Sequence, residues 1–288
     1  MKKLAVLIAC HKKPIQINSL TQSLLHPDVD VFLHIDKKAN IREEIEDREN
    51  LYIIPETFCV DVQWAKISQV DATLALIRFA VNTNSYKYYI YISGEDYPCK
   101  TIDEIVCLAD MQENRMQFWE SLNMNGVFNH YDKRNTLYFP KWLIGRSLIQ
   151  KILKRAYIEL TGGYNKSLIK RKNTLNCLFY FGSSWWGLTN ETVEWMLAYL
   201  KKNANFYKFY KNCINPDESF FHTLFMLSPY GTLDTDYLTY LKFLPKRKGS
   251  KYTKNSPEYL DENEIQNAKN SKYYFMRKID LSNNMQLR

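Results

Sequence analysis

The chain has 288 residues, 45% hydrophobic and 24% charged, a globular balance long enough for one large α/β domain or two small ones. No run of 18 apolar residues occurs, which excludes a spanning helix, and six cysteines without a CxxC pair lack zinc-site spacing and read as reduced thiols of a cytosolic protein. The net charge of +8 is concentrated: residues 141–172 hold nine cations against one acid, Glu159, and residues 242–254 hold six cations and no acid, a pattern that fits anionic partners.

The seven-residue apolar run Leu4–Cys10 is closed by His11, Lys12 and Lys13 without a small-residue cleavage site. It reads as a buried strand rather than a signal peptide. IQINSLTQSLL then has apolar residues at helical spacing, DVFLHID is a second strand, IREEIEDR a polar helix and LYIIPE a third strand. KISQVDATLALIRFAV is an amphipathic helix with Val70, Leu74, Ile77 and Val81 on one stripe. YKYYIYIS is a strand that meets a GEDYP turn, TIDEIVCLADM a helix with Thr101 as N-cap, and MQFWES a short strand. The alternation predicts an α/β fold: a doubly wound, mostly parallel sheet with flanking helices. Such sheets bind ligands at the carboxyl ends of their strands, where this chain carries His11, Asp36, and Glu95 with Asp96. Neither GxGxxG nor a Walker pattern is present, which argues against a dinucleotide oxidoreductase and a P-loop NTPase.

Beyond residue 130 the patterning loosens. Residues 141–160 read as a basic amphipathic helix with Ile149, Ile152, Leu153, Ala156 and Leu160 on one face. Core packing and contact with an anionic membrane both fit that stripe. FGSSWWGLT is a strand whose Trp185 and Trp186 suit either a sugar-stacking wall or the core, and NETVEWMLAYLKK is a capped helix. INPDESFFHTLF admits two readings. Locally, Asn215 is an N-cap, Pro216 fills the first helical position, and Asp217 and Glu218 sit in the first turn. Alternatively, one of these carboxylates does chemistry. DVD at 28–30 and DTD at 234–236 read as turns, since neither follows a strand end where a metal would bind.

LIACHKKP, VDVFLHIDKKA, VDVQWAKISQVDATL, YIYISGEDYPCKT, FGSSWWGLTNETVEWML, NPDESFFHTL and YFMRKID occur in an order that resembles the core-2/I-branching β-1,6-N-acetylglucosaminyltransferase family, glycosyltransferase family 14, which also holds protein xylosyltransferases. The resemblance is weakest between about 125 and 175. It implies a GT-A fold and an inverting reaction that needs no metal. An inverting transferase makes one in-line displacement, so a carboxylate must take the acceptor's proton and fixed charge must stabilise the leaving diphosphate.

By position, the resemblance makes Glu218 the base, with Asp217 as the cap. It assigns Lys278, with Arg277 beside it, to the diphosphate. The family's second cation, an arginine, is replaced by Thr239, and Lys242, Lys246 or Arg247 stands near enough to substitute. His11 and Asp36 match nucleotide-holding positions, while Glu120 and Arg134 fall where the family binds its acceptor sugar. Glu95, Asp96, Trp185 and Trp186 complete the expected substrate wall. Ala65 stands where many relatives have Gly.

These readings combine into a single domain over 1–288, with a nucleotide-binding half at 1–125 and an acceptor and catalytic half at 126–288. The expected donor is a UDP-sugar, UDP-GlcNAc in β-1,6 transfer first and a xylosyl or other sugar transferase as the alternative, and the acceptor a glycan or lipid-linked hydroxyl. The expected setting is the cytoplasm of a bacterium, at the inner face of an anionic membrane. Two other classes stay open. A basic nucleic-acid-binding protein explains the cations but not the ordered strand-end carboxylates, and no nucleic-acid motif appears. A catalytically impaired sugar-binding relative would fit the substituted arginine.

Overall fold

The computed structural model describes residues 2–119, 133–145, 147–162, 170–245 and 256–282. The strands among them are β1 (Lys2–Cys10), β2 (Val29–Ile35), β3 (Leu51–Ile53), β4 (Tyr86–Ser93), β5 (Asp96–Pro98), β6 (Arg115–Phe118), β7 (Gly182–Thr189), β8 (Thr239–Leu241) and β9 (Phe275–Arg277). Six of them form one sheet in the order β3-β2-β1-β4-β7-β6, and three form a small sheet in the order β5-β9-β8.

The large sheet is wound on both faces because side chains alternate along each strand. Leu4, Val6 and Ile8 of β1 pack with Ile17 and Leu20 of the helix Pro14–Ser23. Ala5 and Leu7 face the other way, against Val70, Leu74 and Ile77 of the helix Ser68–Thr83. Burying a Leu, Ile or Val side chain is worth roughly 1.5–3 kcal/mol, so these two layers carry most of the fold.

Parallel pairing holds from β3 to β4, but β7 runs antiparallel to both β4 and β6. The sheet is therefore mixed rather than mostly parallel. The apolar run of β7 encodes its burial but not its direction. At its start a Cβ on Gly182 would lie 1.8 Å from the Gln117 carbonyl oxygen, so only glycine lets β7 approach β6 there.

Other expectations shift locally. IREEIEDR forms only a 3-10 turn at Arg42–Glu44, and its arginines reach outward: Arg42 donates to the Ile54 carbonyl at 2.8 Å and Arg48 to the Asn18 carbonyl at 3.1 Å. The GEDYP turn continues into β5, which pairs with β9. Thr101 does cap a helix, in a reciprocal capping box with Glu104, but that helix stops at Val106 and a second turn follows at Leu108–Met111. The loosely patterned tail contains a helix, Glu262–Lys269, capped by Asp261.

The basic segment splits into a 3-10 turn at Lys141–Leu143 and a helix at Leu148–Leu160, opened by a Ser147–Gln150 capping box. Ile158 is its buried side chain. Ile149, Ile152, Leu153, Ala156 and Leu160 face solvent. Of the two fates open to that stripe, the core is not the one adopted. No helix among the described residues is long and apolar enough to cross a membrane.

Candidate active site

The NPDE stretch opens a short 3-10 helix, with Pro216 first and both acids in its turn as expected, but not the α-helix itself. Asn215 is left-handed (φ 49°), Pro216–Glu218 is a 3-10 turn, and the helix Phe220–Met226 begins only after Ser219. Asn215 caps nothing with its side chain. Its amide instead donates to Glu218 Oε2 at 3.2 Å, while its backbone N–H donates to the Ala65 carbonyl at 3.1 Å. Ala65 itself has φ 60°, a conformation glycine adopts more readily, which gives the Gly-to-Ala difference at this position a physical meaning. Its N–H donates to Gln69 Oε1 at 2.6 Å, and Gln69 donates onward to Asp217 Oδ2 at 3.2 Å.

Asp217 is therefore a half-buried anchor, with its Oδ1 out of contact with water, rather than a cap. Ser184 of β7 donates to the same Oδ2 at 2.8 Å. Burial, and then the neighbouring Glu218 charge, push the Asp217 carboxyl well above the usual range. Glu218 is half-buried and pairs with the Arg134 guanidinium, which lies 5.6 Å from the Trp119 ring. One carboxylate of the motif is thus tied to the sheet and helix by neutral donors and the other lies beside a cation.

A second group of charges gathers at the ends of β4 and β9. Arg277 donates to Ser93 Oγ and to Asp96 Oδ1 (3.3 Å), lies 3.6 Å from Glu95 and covers the Trp185 ring at 4.5 Å. Glu95 also meets Lys12 at 2.9 Å, Lys278 at 3.9 Å and the Tyr259 hydroxyl at 2.9 Å. Three cations face two carboxylates, which leaves positive charge at the strand ends. Ser184 and Trp185 are consecutive on β7, so the Asp217–Ser184 bond and the Trp185–Arg277 contact join the two groups. The buried Tyr91 packs its ring 5.3 Å from that of Trp185.

Burial alone would raise the Glu95 carboxyl, but the hydrogen bond from Lys12, the Arg277 charge, and then Tyr259 and Lys278 outweigh it and hold Glu95 down at about 2. A depressed carboxyl stabilises the fold above its unfolded value and loses that contribution as pH falls through the folded one. Melting temperature should therefore drop between pH 4.5 and about 2 partly through Glu95, and Glu95→Gln should flatten that drop. An unchanged acid limb in the variant would contradict the assignment.

The remaining predicted residues separate. Asp36, nearly buried at the end of β2, accepts from the Lys38 and Val62 backbone N–H groups at 3.1 and 3.4 Å, so it closes its own loop. His11 stands exposed after β1. Asp96 is wholly buried and holds Arg277 rather than presenting itself to a ligand. Trp186 is 0% exposed between Tyr91 and Phe221, so the aromatic pair splits into a core residue and a half-buried one that meets Arg277. Thr239 begins β8, and Lys242 just beyond it turns away to Glu264 at 2.5 Å, beside a cleft of about 440 Å³. Glu120, Lys246 and Arg247 lie outside the described residues. Gln69, Ser184 and Ser93 were not foreseen: a lone polar residue in a helix or strand gives no sign of a distant carboxylate.

DVD is not the turn expected but the amino end of β2, and DTD lies in irregular chain before β8. Asp30 is buried within β2, meeting Lys2 at 2.5 Å and the Tyr86 hydroxyl at 2.6 Å. Asp236 pairs with Lys272 and, at 3.4 Å, with Arg115. No group of three His, Cys, Asp or Glu suited to a metal ion occurs among the described residues.

A mixed α/β sheet with a carboxylate turn and a cation cluster at its strand ends is consistent with a glycosyltransferase. The chain belongs to the Core-2/I-Branching enzyme family, whose model matches residues 4–269. It is 24% identical over 237 residues to xylosyltransferase 2 of Rattus norvegicus, covering 79% of this chain and 25% of that protein. The Mus musculus xylosyltransferase 2 is 25% identical with the same coverage. A human protein named probable beta-1,3-galactosyl-O-glycosyl-glycoprotein beta-1,6-N-acetylglucosaminyltransferase 7 is 22% identical over 231 residues, covering 77% of this chain and 49% of that protein. The chain thus spans about a quarter to a half of the length of these relatives.

Proposed function

We propose that the chain is an inverting, metal-independent glycosyltransferase of GT-A fold that moves a sugar from a UDP-sugar to a hydroxyl of a glycan or lipid-linked acceptor. The observation that carries this reading is the link from the Glu218 turn through Asp217, Ser184 and Trp185 to Arg277. In the reaction the acceptor oxygen bonds to the anomeric carbon as the bond to the diphosphate oxygen breaks. Glu218 takes the hydroxyl proton, and the charge gained by the departing diphosphate is met by Arg277 and Lys278. Asn215 and Arg134 both contact Oε2, which leaves Oε1 as the oxygen that receives the proton. Arg134 and Trp119 flank the acceptor side, and His11 the nucleotide side.

GlcNAc in β-1,6 linkage is the first reading of the product. Xylose is the second, favoured by the relatives named xylosyltransferase 2. The reading sets the enzyme at the cytoplasmic face of an anionic membrane. A thermal-shift panel of nucleotide sugars in EDTA tests it, because bound ligand stabilises by RT ln(1 + [L]/Kd). UDP-GlcNAc or UDP-xylose should raise Tm, and NAD or ATP should not. A shift that requires Mn²⁺ or Mg²⁺ would reject the metal-free part.

A further inference from the structure

We propose that the outward face of the helix Leu148–Leu160 is a docking surface for an anionic lipid bilayer. Leu148, Ile149, Ile152, Leu153 and Leu160 are 72%, 69%, 59%, 42% and 85% exposed, and Ala156 is exposed with them. At 100° per residue these six positions fall within an arc of roughly 140°, which the exposed Glu159 enters near one border as its one acid. The opposite face meets the protein: Ile158 is buried, Tyr157 packs beside it, and Lys154 lays its ammonium 4.9 Å from the Phe139 ring. The helix is therefore amphipathic with its apolar side outward. Lys151 and Arg155 stand exposed along one border of the stripe. Trp142, 63% exposed, stands close to the helix start, where its carbonyl accepts from Gln150 at 3.0 Å. A cationic border, an apolar stripe and a tryptophan are what an interfacial helix offers to headgroups and acyl chains.

Charge selects the occupant. Residues 141–172 carry nine cations and one acid. A second copy seated on this face would bring two such segments together, whereas an anionic leaflet complements them. The position also suits the proposed reaction, and only this part of the argument rests on that reading. Ile158 shares a buried cluster with Ala65 and Ile214, and Ala65 and Ile214 flank the backbone that holds the Glu218 turn. A bilayer under this helix would lie on the acceptor side of the site.

The test is co-sedimentation of the full chain with phosphatidylcholine vesicles, with and without phosphatidylglycerol, at low and high salt. Wild type should pellet with the anionic vesicles at low salt, not with the neutral ones, and be released by salt. Lys151→Gln with Arg155→Gln should weaken partitioning about 30-fold, from about 1 kcal/mol per cation. Ile149, Ile152 and Leu153 changed together to Ser should abolish binding with melting unchanged, since all three are exposed. No wild-type binding, or serine-variant binding equal to wild type, would overturn the proposal. So would a dimer in solution that the serine variant converts to monomer without any lipid binding. No sugar enters this assay, so its failure would leave the transfer reaction untouched, and loss of transfer would leave the docking surface untouched.

Discussion

Glu218→Gln should fold as the native chain does and transfer sugar roughly 10²–10⁴ times more slowly, the range expected for loss of a general base. The two halves of that expectation have separate causes. Glu218 and Arg134 are 24% and 26% exposed at their side chains, so the pair is partly shielded and the loss stays small only because the Gln amide keeps its contacts. The Gln carbonyl oxygen can still accept from the Asn215 amide and from Arg134. The 3-10 turn is also held independently, by Asp217 against Ser184 and Gln69 and by the Asn215 N–H against Ala65. Melting curves should therefore nearly superimpose while steady-state UDP release collapses. Similar rates with similar melting would make Glu218 a turn residue only.

Arg277→Met should damage both stability and donor use. Asp96 is 0% exposed, and its carboxylate would lose the guanidinium that faces it at 3.3 Å. Breaking a buried pair costs roughly 3–5 kcal/mol. Burial already pushes the Asp96 carboxyl upward in spite of Arg277, so Asp96 can take up a proton in the variant, which keeps the loss near the low end. A loss of about 3 kcal/mol corresponds to a Tm drop of roughly 5 °C in a chain of this size. Adding Asp96→Asn removes the stranded charge and should recover most of that drop. Donor KM and turnover should stay impaired in the double variant, because the cation facing the diphosphate is still missing. Recovery of transfer along with stability would reduce Arg277 to a structural partner of Asp96.

The strands β1, β2 and β4 were legible because apolar runs of strand length between polar ends have few other uses. What those runs do not state is direction, so the reversal at β7 was invisible. The NPDE stretch shows a different gap. Its residue types match a helix start, and local preference alone favours that outcome. Contacts from Gln69 and Ser184, distant in sequence, hold the Asp217 side chain, and the stretch forms a 3-10 turn ahead of the α-helix. The stripe on 148–160 shows a third: periodicity reports that one face is apolar, not what that face meets. The cations Arg277 and Lys278 were found through the ordered motifs, whereas the Lys242–Glu264 pair that turns Lys242 aside depends on a helix the tail does not announce.

The central claim, a metal-free sugar transfer with Glu218 as base, is tested most directly by UDP release from UDP-GlcNAc and UDP-xylose in EDTA, wild type beside Glu218→Gln. The account predicts release by the wild type with one of the two donors, undiminished by EDTA, and a rate lower by at least about 100-fold in the variant. Release that appears only with added Mn²⁺ or Mg²⁺, or that proceeds equally in both proteins, would contradict it.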